Sequence, residues 1–483
     1  MQSAKFELQI RSANIRKGCQ LPVPIRTAYQ LLEDSIIIYK GKAVGTAAAC
    51  DSRPVAANYH ECFIRDFVPS ALVFLMDNRA DIVRNFLTTV MQLRGQQTVL
   101  EGHTRSLGLM PASFKVIEEE GEEHLVADFG ERAIGRVIAV DSAMWWMFLL
   151  RSYVIATGDW DFAKSAEVQE CIKQILDLYL RERFESSPTL LVPDGSFMVD
   201  RRMGVYGYPL EIQALYYGML QTAKELISRT SGSKSLIGNL QVLIQALRSY
   251  VRTQYWIDRD RLNQIHRYEG EEFGLNVANV LNVYPESIPD WMDGWLDSRS
   301  GYLVGNQVPG RVDFRFFSQG NLLAILFGLT TPEESQAIMN LFAVHWDELV
   351  GEMPVKIVYP AAQYKEWMHV TGSDPKNVPW SYHNGGNWPV LIWPFVAASM
   401  RTGRVEVAER ALELITERLK NDNWPEYYDG KRGGLIGRRA NFYQVWSATG
   451  LIVAHKVYED RESQALLDSC MFSSAMKDKN IKN

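Results

Sequence analysis

The chain has 483 residues, 47% of them hydrophobic and 22% charged, with a formal net charge of −6 at pH 7. That balance belongs to a globular protein with a large core, and an acidic chain without a long basic block excludes nucleic acid as its main partner. The most apolar run, PVLIWPFVAASM (389–400), is too short to span a bilayer, which excludes a membrane role.

Length alone suggests two or three domains, unless the chain is built from repeats. Five scattered cysteines (Cys19, Cys50, Cys62, Cys171 and Cys470) form no CxxC pair and read as reduced thiols. The first thirty residues lack the apolar core of a signal peptide, so a cytoplasmic protein is expected. Rings are abundant, with 13 Trp, 21 Tyr and 20 Phe, and several lie in Gly/Pro-rich segments such as SYHNGGNWP and NWPEYYDG. Such rings are either core or the walls of a sugar-binding cleft.

In chain order, residues 1–26 read as an N-terminal extension, followed by an amphipathic stretch at about 27–39. An apolar helix is predicted from near 64 (IRDFVPSALVFL), then an amphipathic one over 80–94 with Ile82, Val83, Phe86, Leu87 and Val90 on one face. The acidic stretch 115–126 reads as a solvated hairpin or loop. Apolar helices recur from near 140, 208, 317, 387 and 441, with amphipathic stretches at 162–184, 236–255, 332–348 and 404–420. Residues 227–235 read as a connector, an insertion precedes 317, and 471–483 read as a disordered tail. Six inner and six outer helices close naturally into an all-α (α/α)6 barrel over 27–470, since no pair buries its own apolar surface and closure removes the ends. An open α-solenoid is the rival.

In such a barrel the polar residues just before each inner helix gather at one mouth: Arg65 with Asp66, Asp141, Glu211 with Gln213, Gln319, Asn387 with Trp388, and Asn441 with Gln444. Helix N-termini there present free N–H groups suited to hydroxyl-rich ligands. Asp141 and Asn387 can equally be plain N-caps. The eight histidines show no metal-ligand spacing, and His60-Glu61-Cys62 reads as structural, so no metal is expected. No phosphate-cradling glycine loop is present, so no nucleotide cofactor is expected either. Carboxylates remain as the chemistry-bearing groups. Glycoside hydrolysis needs one to protonate the leaving oxygen and another to activate water or attack. Asp200, in MVDRRMGVYGYPLEIQ, and Glu426, in NWPEYYDGKRGG, sit on loops before the third and sixth inner helices. An ion pair of Asp200 with Arg201 or Arg202, and a solvated Glu426, are the plainer alternatives.

The stretches NYHECFIRDFVPSALVFL (58–75), DFGERAIGRVIAVDSAMWW (128–146), DGSFMVDRRMGVYGYPLEIQAL (194–215), WSYHNGGNWPVLIWP (380–394) and NWPEYYDGKRGGLIGRRANFYQVWSATG (423–450) together cover most of the chain's candidate site. In them the chain closely resembles the alkaline/neutral invertases, glycoside hydrolase family 100, of cyanobacteria and plants. The resemblance implies an (α/α)6 barrel that hydrolyses sucrose to glucose and fructose with inversion and without a cofactor. It also implies Asp200 as general acid and Glu426 as general base. One departure is Arg132, where plant members usually carry serine. The long N-terminal extension of plant members is not seen, in keeping with a bacterial cytosolic enzyme.

Position at the mouth then predicts that Arg65, Asp66, Gln213, His383 and Asn387 meet sucrose hydroxyls, with Trp388 or Trp424 as an apolar wall. Arg201 and Arg202 are expected to face away from Asp200, because a guanidinium against it would oppose the raised pKa that an acid needs. A hydrolase or phosphorylase for another oligosaccharide, and a silent sugar-binding protein, are the rival functions. Exposed patches expected on the outer helices fit a homo-oligomer.

Overall fold

In the computed structural model, the described residues are 21–51, 58–96, 106–132, 137–180, 187–192, 194–199, 203–228, 233–267, 279–308 and 311–467. Among them, twelve of the helices alternate between two kinds of burial. These are α1 (Val23–Asp34), α2 (Phe67–Met76), α3 (Ala80–Leu93), α4 (Ser142–Thr157), α5 (Ala166–Tyr179) and α6 (Leu210–Leu226). The second six are α7 (Lys234–Gln254), α8 (Ser318–Leu326), α9 (Pro332–Val344), α10 (Ile392–Arg401), α11 (Val405–Asn421) and α12 (Val445–Glu459).

The even-numbered helices are apolar nearly all round, and burial follows: α4 buries every residue from Ser142 to Val154, and α2 every residue from Phe67 to Leu75. The odd-numbered ones bury one stripe, as in α3 with Ile82, Val83, Phe86, Leu87 and Val90. Along the even series α2 packs on α4, α4 on α6, α6 on α8, α8 on α10, α10 on α12, and α12 returns to α2. Close approach needs small residues at the crossings. A Cβ on Gly320 of α8 would lie 2.9 Å from Leu210 Cγ and 3.0 Å from the Glu211 nitrogen on α6.

The helices start within a few residues of expectation, and two departures have clear causes. The amphipathic stretch expected over 27–39 starts earlier, as α1, and breaks after Asp34; Ile36–Tyr39 is a strand (β1) pairing with Lys42–Thr46 (β2) across a Lys40-Gly41 turn. Consecutive β-branched Ile36, Ile37 and Ile38 suit a strand better than a helix. The helix expected near 387 begins only at Ile392, because Asn387 and Trp388 are extended and tied into neighbouring loops.

The chain is also not purely helical. The acidic stretch is a hairpin of β4 (Ser113–Glu119) and β5 (Glu122–Asp128), with Cys62–Phe63 (β3) added beside β4. The insertion before 317 is a sheet: β8 (Gly301–Val308) and β9 (Arg311–Phe317) pair antiparallel. Tyr208–Pro209 (β6) and Trp256–Asp258 (β7) pair with β8, and Val358–Tyr359 (β10) with β9. No helix among the described residues is long and apolar enough to cross a membrane. Residues 1–20, the whole 471–483 tail, Cys19 and Cys470 lie outside the described residues.

Candidate active site

The loops entering the even-numbered helices are sewn together by backbone hydrogen bonds. Glu426 N donates to Asn441 O (2.9 Å), Gln444 N to Trp424 O (2.9 Å) and Tyr443 N to Asn423 O (2.9 Å). On its other side the same segment exchanges two bonds between Tyr428 and Asn387, at 2.8 and 2.9 Å. Val445 N reaches Ala48 O (3.0 Å), and Ser447 Oγ on α12 donates to Pro425 O (3.0 Å). Trp380, Tyr382, Asn423, Trp424 and Tyr443 all adopt positive φ on these loops. Non-glycine residues in that region are strained, and such strain collects where surrounding structure fixes a functional geometry.

Glu426 sits in this weave, 3% exposed. The Tyr59 hydroxyl donates to its Oε1 (2.7 Å), the Asn441 amide reaches Oε2 (3.5 Å), and the Lys376 ammonium stands 3.5 Å from Oε2. Burial, together with the adjacent Glu426 charge, pushes the Tyr59 phenol well above its ordinary pKa, so it stays a donor. Lys376 lies 3.8 Å over the Tyr382 ring and 5.7 Å from the Tyr427 ring, and so bridges the carboxylate and an aromatic wall. That wall is a stack of Tyr382, His383, Trp388 and Tyr427, closed by Trp446 edge-on to Trp388 at 5.8 Å.

A second cluster faces it. Arg65 holds the buried Asp141 through two hydrogen bonds, at 2.5 and 3.0 Å, and Trp145 Nε1 donates to Asp141 Oδ2 (3.1 Å). Asp66 and Asp141 occupy the N-cap positions of α2 and α4, yet neither side chain caps its helix. The Asp141 carboxylate is spent on Arg65 and Trp145 instead. Burial raises the Asp66 carboxyl to about 7; Arg65 opposes this, and the Glu426 and Asp141 charges add to it. Burial likewise raises Glu211, in the first turn of α6, to about 8, reinforced by Asp141 and opposed by Arg65.

Glu211 Oε1 accepts from Met198 N (3.2 Å), so it pins the segment that leads into Asp200. The same segment is fixed further back by Ser196 N donating to Ile138 O and by the Val192–Gly207 bridge. Asp200, Arg201 and Arg202 themselves lie outside the described residues, while their flanking Val199 and Met203 are buried. Between the two clusters Arg65, Trp145, Met198, Gln319, Trp393 and Trp446 line a cavity of about 20 Å3, at the N-terminal ends of the even-numbered helices. Buried polar atoms of Glu211 (Oε2), Gln444 (both amide ends) and Trp446 (Nε1) have no partner there among the described residues. Orphaned buried groups are costly, and a polar ligand or water is what ordinarily satisfies them.

Of the residues singled out in the sequence, Arg65, Asp66 and Glu426 converge on this mouth. Gln213 spends its amide on the backbone of Leu190, accepting at 2.8 Å and donating at 2.9 Å. Asn387 donates to Val350 O and Met353 O and accepts from Lys356 Nζ (2.8 Å). Trp388 donates to Tyr382 O, the His383 ring lies in the stack while its backbone N–H donates to Asn377 Oδ1 (3.0 Å), and Trp424 is buried. Arg132 donates to both Glu61 oxygens, at 3.2 and 3.0 Å, and Ser113 Oγ donates to the same carboxylate, so this departure ties a turn to the β4 hairpin.

Tyr59, Lys376, Trp393 and Trp446 were not singled out individually. Nothing in their spacing reports contact with Glu426 or the cavity; 367 positions separate Tyr59 from Glu426.

A family model described as alkaline and neutral invertase matches residues 28–461. Among curated proteins, the probable alkaline/neutral invertase F of Arabidopsis thaliana is 48% identical over 439 residues, covering 90% of this chain and 88% of its own. Cytosolic invertase 1 of Oryza sativa subsp. japonica is 47% identical over 436 residues, with 90% and 78% covered. The probable chloroplastic alkaline/neutral invertase A of Arabidopsis thaliana is 46% identical, with 92% and 73% covered. Two solved structures share the fold at low identity. A wild-type glycosidase matches with TM-score 0.56 at 13% identity, covering 90% of this chain and 96% of its own. A bacterial glucoamylase complexed with acarbose matches with TM-score 0.56 at 10%, covering 91% and 56%. With a family model spanning 28–461 and near-half identity over nine-tenths of its length, the chain belongs to the alkaline and neutral invertase family of glycoside hydrolases.

Proposed function

We propose that the protein hydrolyses sucrose to glucose and fructose by an inverting acid/base mechanism, with Glu426 as general base and Asp200 as general acid. The observation that carries the reading is the buried Glu426 carboxylate in its WPEYYDG context, gripped by Tyr59, Lys376 and Asn441 at the mouth of the helical ring. Those contacts hold a carboxylate in one orientation, which a base must have to take a proton from a single water. An inverting pair stands roughly 6.5–9.5 Å apart to leave room for that water. Asp200 enters through its motif, MVDRRMG, and through the pinning of the preceding segment by Glu211. Arg65 and Asp66 then face the sugar as hydroxyl-binding groups, with Trp388 and Trp446 in the wall.

The architecture is read as a six-inner, six-outer barrel over 27–470, with the even-numbered helices inside. A cytoplasmic homo-oligomer is the state proposed for the enzyme, in keeping with a relative named as a cytosolic invertase.

Glu426→Gln and Asp200→Asn test the pair. Each is expected to lower sucrose turnover by roughly 10²–10⁴-fold while leaving folding near normal. Glucose release from sucrose, with raffinose and trehalose alongside, reads the loss and the specificity. A tenth of the activity surviving in either variant overturns that residue's role, and phosphate-dependent release of a sugar phosphate would favour a phosphorylase.

A further inference from the structure

Lys356 is wholly buried, 0% exposed, on the segment that runs into β10. Its Nζ donates to Asn387 Oδ1 (2.8 Å) and to Gly385 O (3.3 Å), and lies 5.4 Å from the centroid of the Trp380 ring. The backbone is fixed as well: Lys356 N donates to Leu349 O (2.9 Å), and Ser318 Oγ, at the start of α8, donates to Lys356 O. Among the described residues these partners are neutral, whereas a fully buried lysine ordinarily has an acid beside it. A charge held this way costs stability that an apolar side chain of the same length would not.

The groups it holds are the ones that hold the Glu426 segment. Asn387 exchanges two backbone hydrogen bonds with Tyr428, at 2.8 and 2.9 Å, and its side chain donates to Val350 O and Met353 O. Trp380 O accepts from Gly430 N (2.9 Å). Gly385 precedes Gly386, whose N–H donates to Tyr382 O (3.0 Å), and the Tyr382 ring carries Lys376. An ammonium makes hydrogen bonds about twice as strong as those of a neutral amine, so this brace depends on its proton. Burial lowers Lys356 to about 7, opposed by the Glu348 charge. Glu348 itself is half-buried, 4.0 Å from His345. Lys431 shares the Trp380 ring, at 5.8 Å, and the Tyr359 ring packs on it at 5.9 Å. His383 is stacked with Tyr382 and Trp388, Glu352 lies beside Gly434, Asp429 accepts from Arg438 N, and Arg432 pairs with Asp347.

We propose that Lys356 is a positioning residue for Glu426, acting through Asn387 and Tyr428 and only while it carries its proton. The proposal rests on Glu426 as the base, which Glu426→Gln tests separately: activity surviving there fails that reading, whereas the comparison below reports on Lys356. Sucrose kinetics of the full chain and of its Lys356→Met variant are measured between about pH 6 and about pH 9. At the acid end the variant's kcat is expected about tenfold or more below the parent's, with KM within about twofold, because a displaced base slows the chemistry without removing sugar contacts. The ratio of the two kcat values should shrink at least about threefold by the alkaline end, where the parent's amine is neutral too. Taking the ratio cancels the titration of the acid and base that both proteins share. A smaller folded fraction would lower kcat by one factor at every pH, so a ratio that does not change with pH overturns the proposal. So does a variant kcat within about twofold of the parent's at the acid end. Should Lys356→Met fail to fold, Lys356→Gln, which keeps an N–H for Asn387 Oδ1, is read in the same way, with a smaller loss that again shrinks as pH rises.

Discussion

Lys376 shows how a single side chain does several jobs at this mouth. Its side chain is 15% exposed, and its ammonium stands 3.5 Å from Glu426 Oε2 and lies 3.8 Å over the Tyr382 ring. Removing it leaves a desolvated carboxylate without its counter-charge, which is costlier than losing both partners. Lys376→Met is therefore expected to lower kcat/KM for sucrose roughly ten- to a hundredfold, more through kcat than KM. Lys376→Arg should recover most of it, and steady-state kinetics of both variants checks the point. Gln213 makes the opposite case. Its MxDRRMG-to-helix position suggested a hydroxyl ligand, but a buried amide that both accepts from and donates to Leu190 is a backbone clamp. Sequence position drew notice to Gln213 and none to Lys376. It could not say where an amide or an ammonium points, because that depends on a partner distant in the chain.

At the scale of elements, α8 and α6 approach closely at Gly320. An added methyl there meets Leu210 and the backbone of Glu211, and the backbone cannot give way without moving the residue that holds Met198. Gly320→Ala is expected to cost about 1–3 kcal/mol of stability, despite alanine's better helix propensity. Urea unfolding checks it, and unchanged stability would mean that the crossing is looser than this geometry. Element identity was readable from pattern: 80–94 carried a stripe and 143–150 had none, and they became a one-faced helix and a fully buried one. The strands were harder to see. β6 and β10 are two residues long and gain their bonds only from β8 and β9 across the insertion, so no local periodicity marks them.

Across the whole molecule, the mouth concentrates poorly hydrated acids, Glu211 buried and Asp66 half-buried, that oppose folding at neutral pH. Asp66 and Glu211 titrate near 4 in the unfolded chain but at about 7 and about 8 when folded. Above the unfolded pKa the native state thus binds more protons than the unfolded state. Their contribution is present at low pH and is lost as pH rises to the folded values, where it levels off. Glu211→Gln, and separately Asp66→Asn, should each raise stability by roughly 2–4 kcal/mol more at pH 8.5 than at pH 5. Thermal melts at the two pH values read the difference, and an equal shift at both would remove the buried-acid account. Binding sites commonly store instability of this kind.

The sequence by itself determined the alternation of wholly apolar and one-faced helices, because burial is written in composition every 3.6 residues. It also determined the family, through long motifs. Only the tertiary structure decided that Tyr59, Lys376 and Asn441 grip Glu426, that Asp141 serves Arg65 instead of capping α4, and that Asn387 and Gln213 are braces. The physical reason is range. Periodicity is a property of neighbours along the chain, whereas a hydrogen bond at the mouth is set by loops brought together when the ring of helices closes.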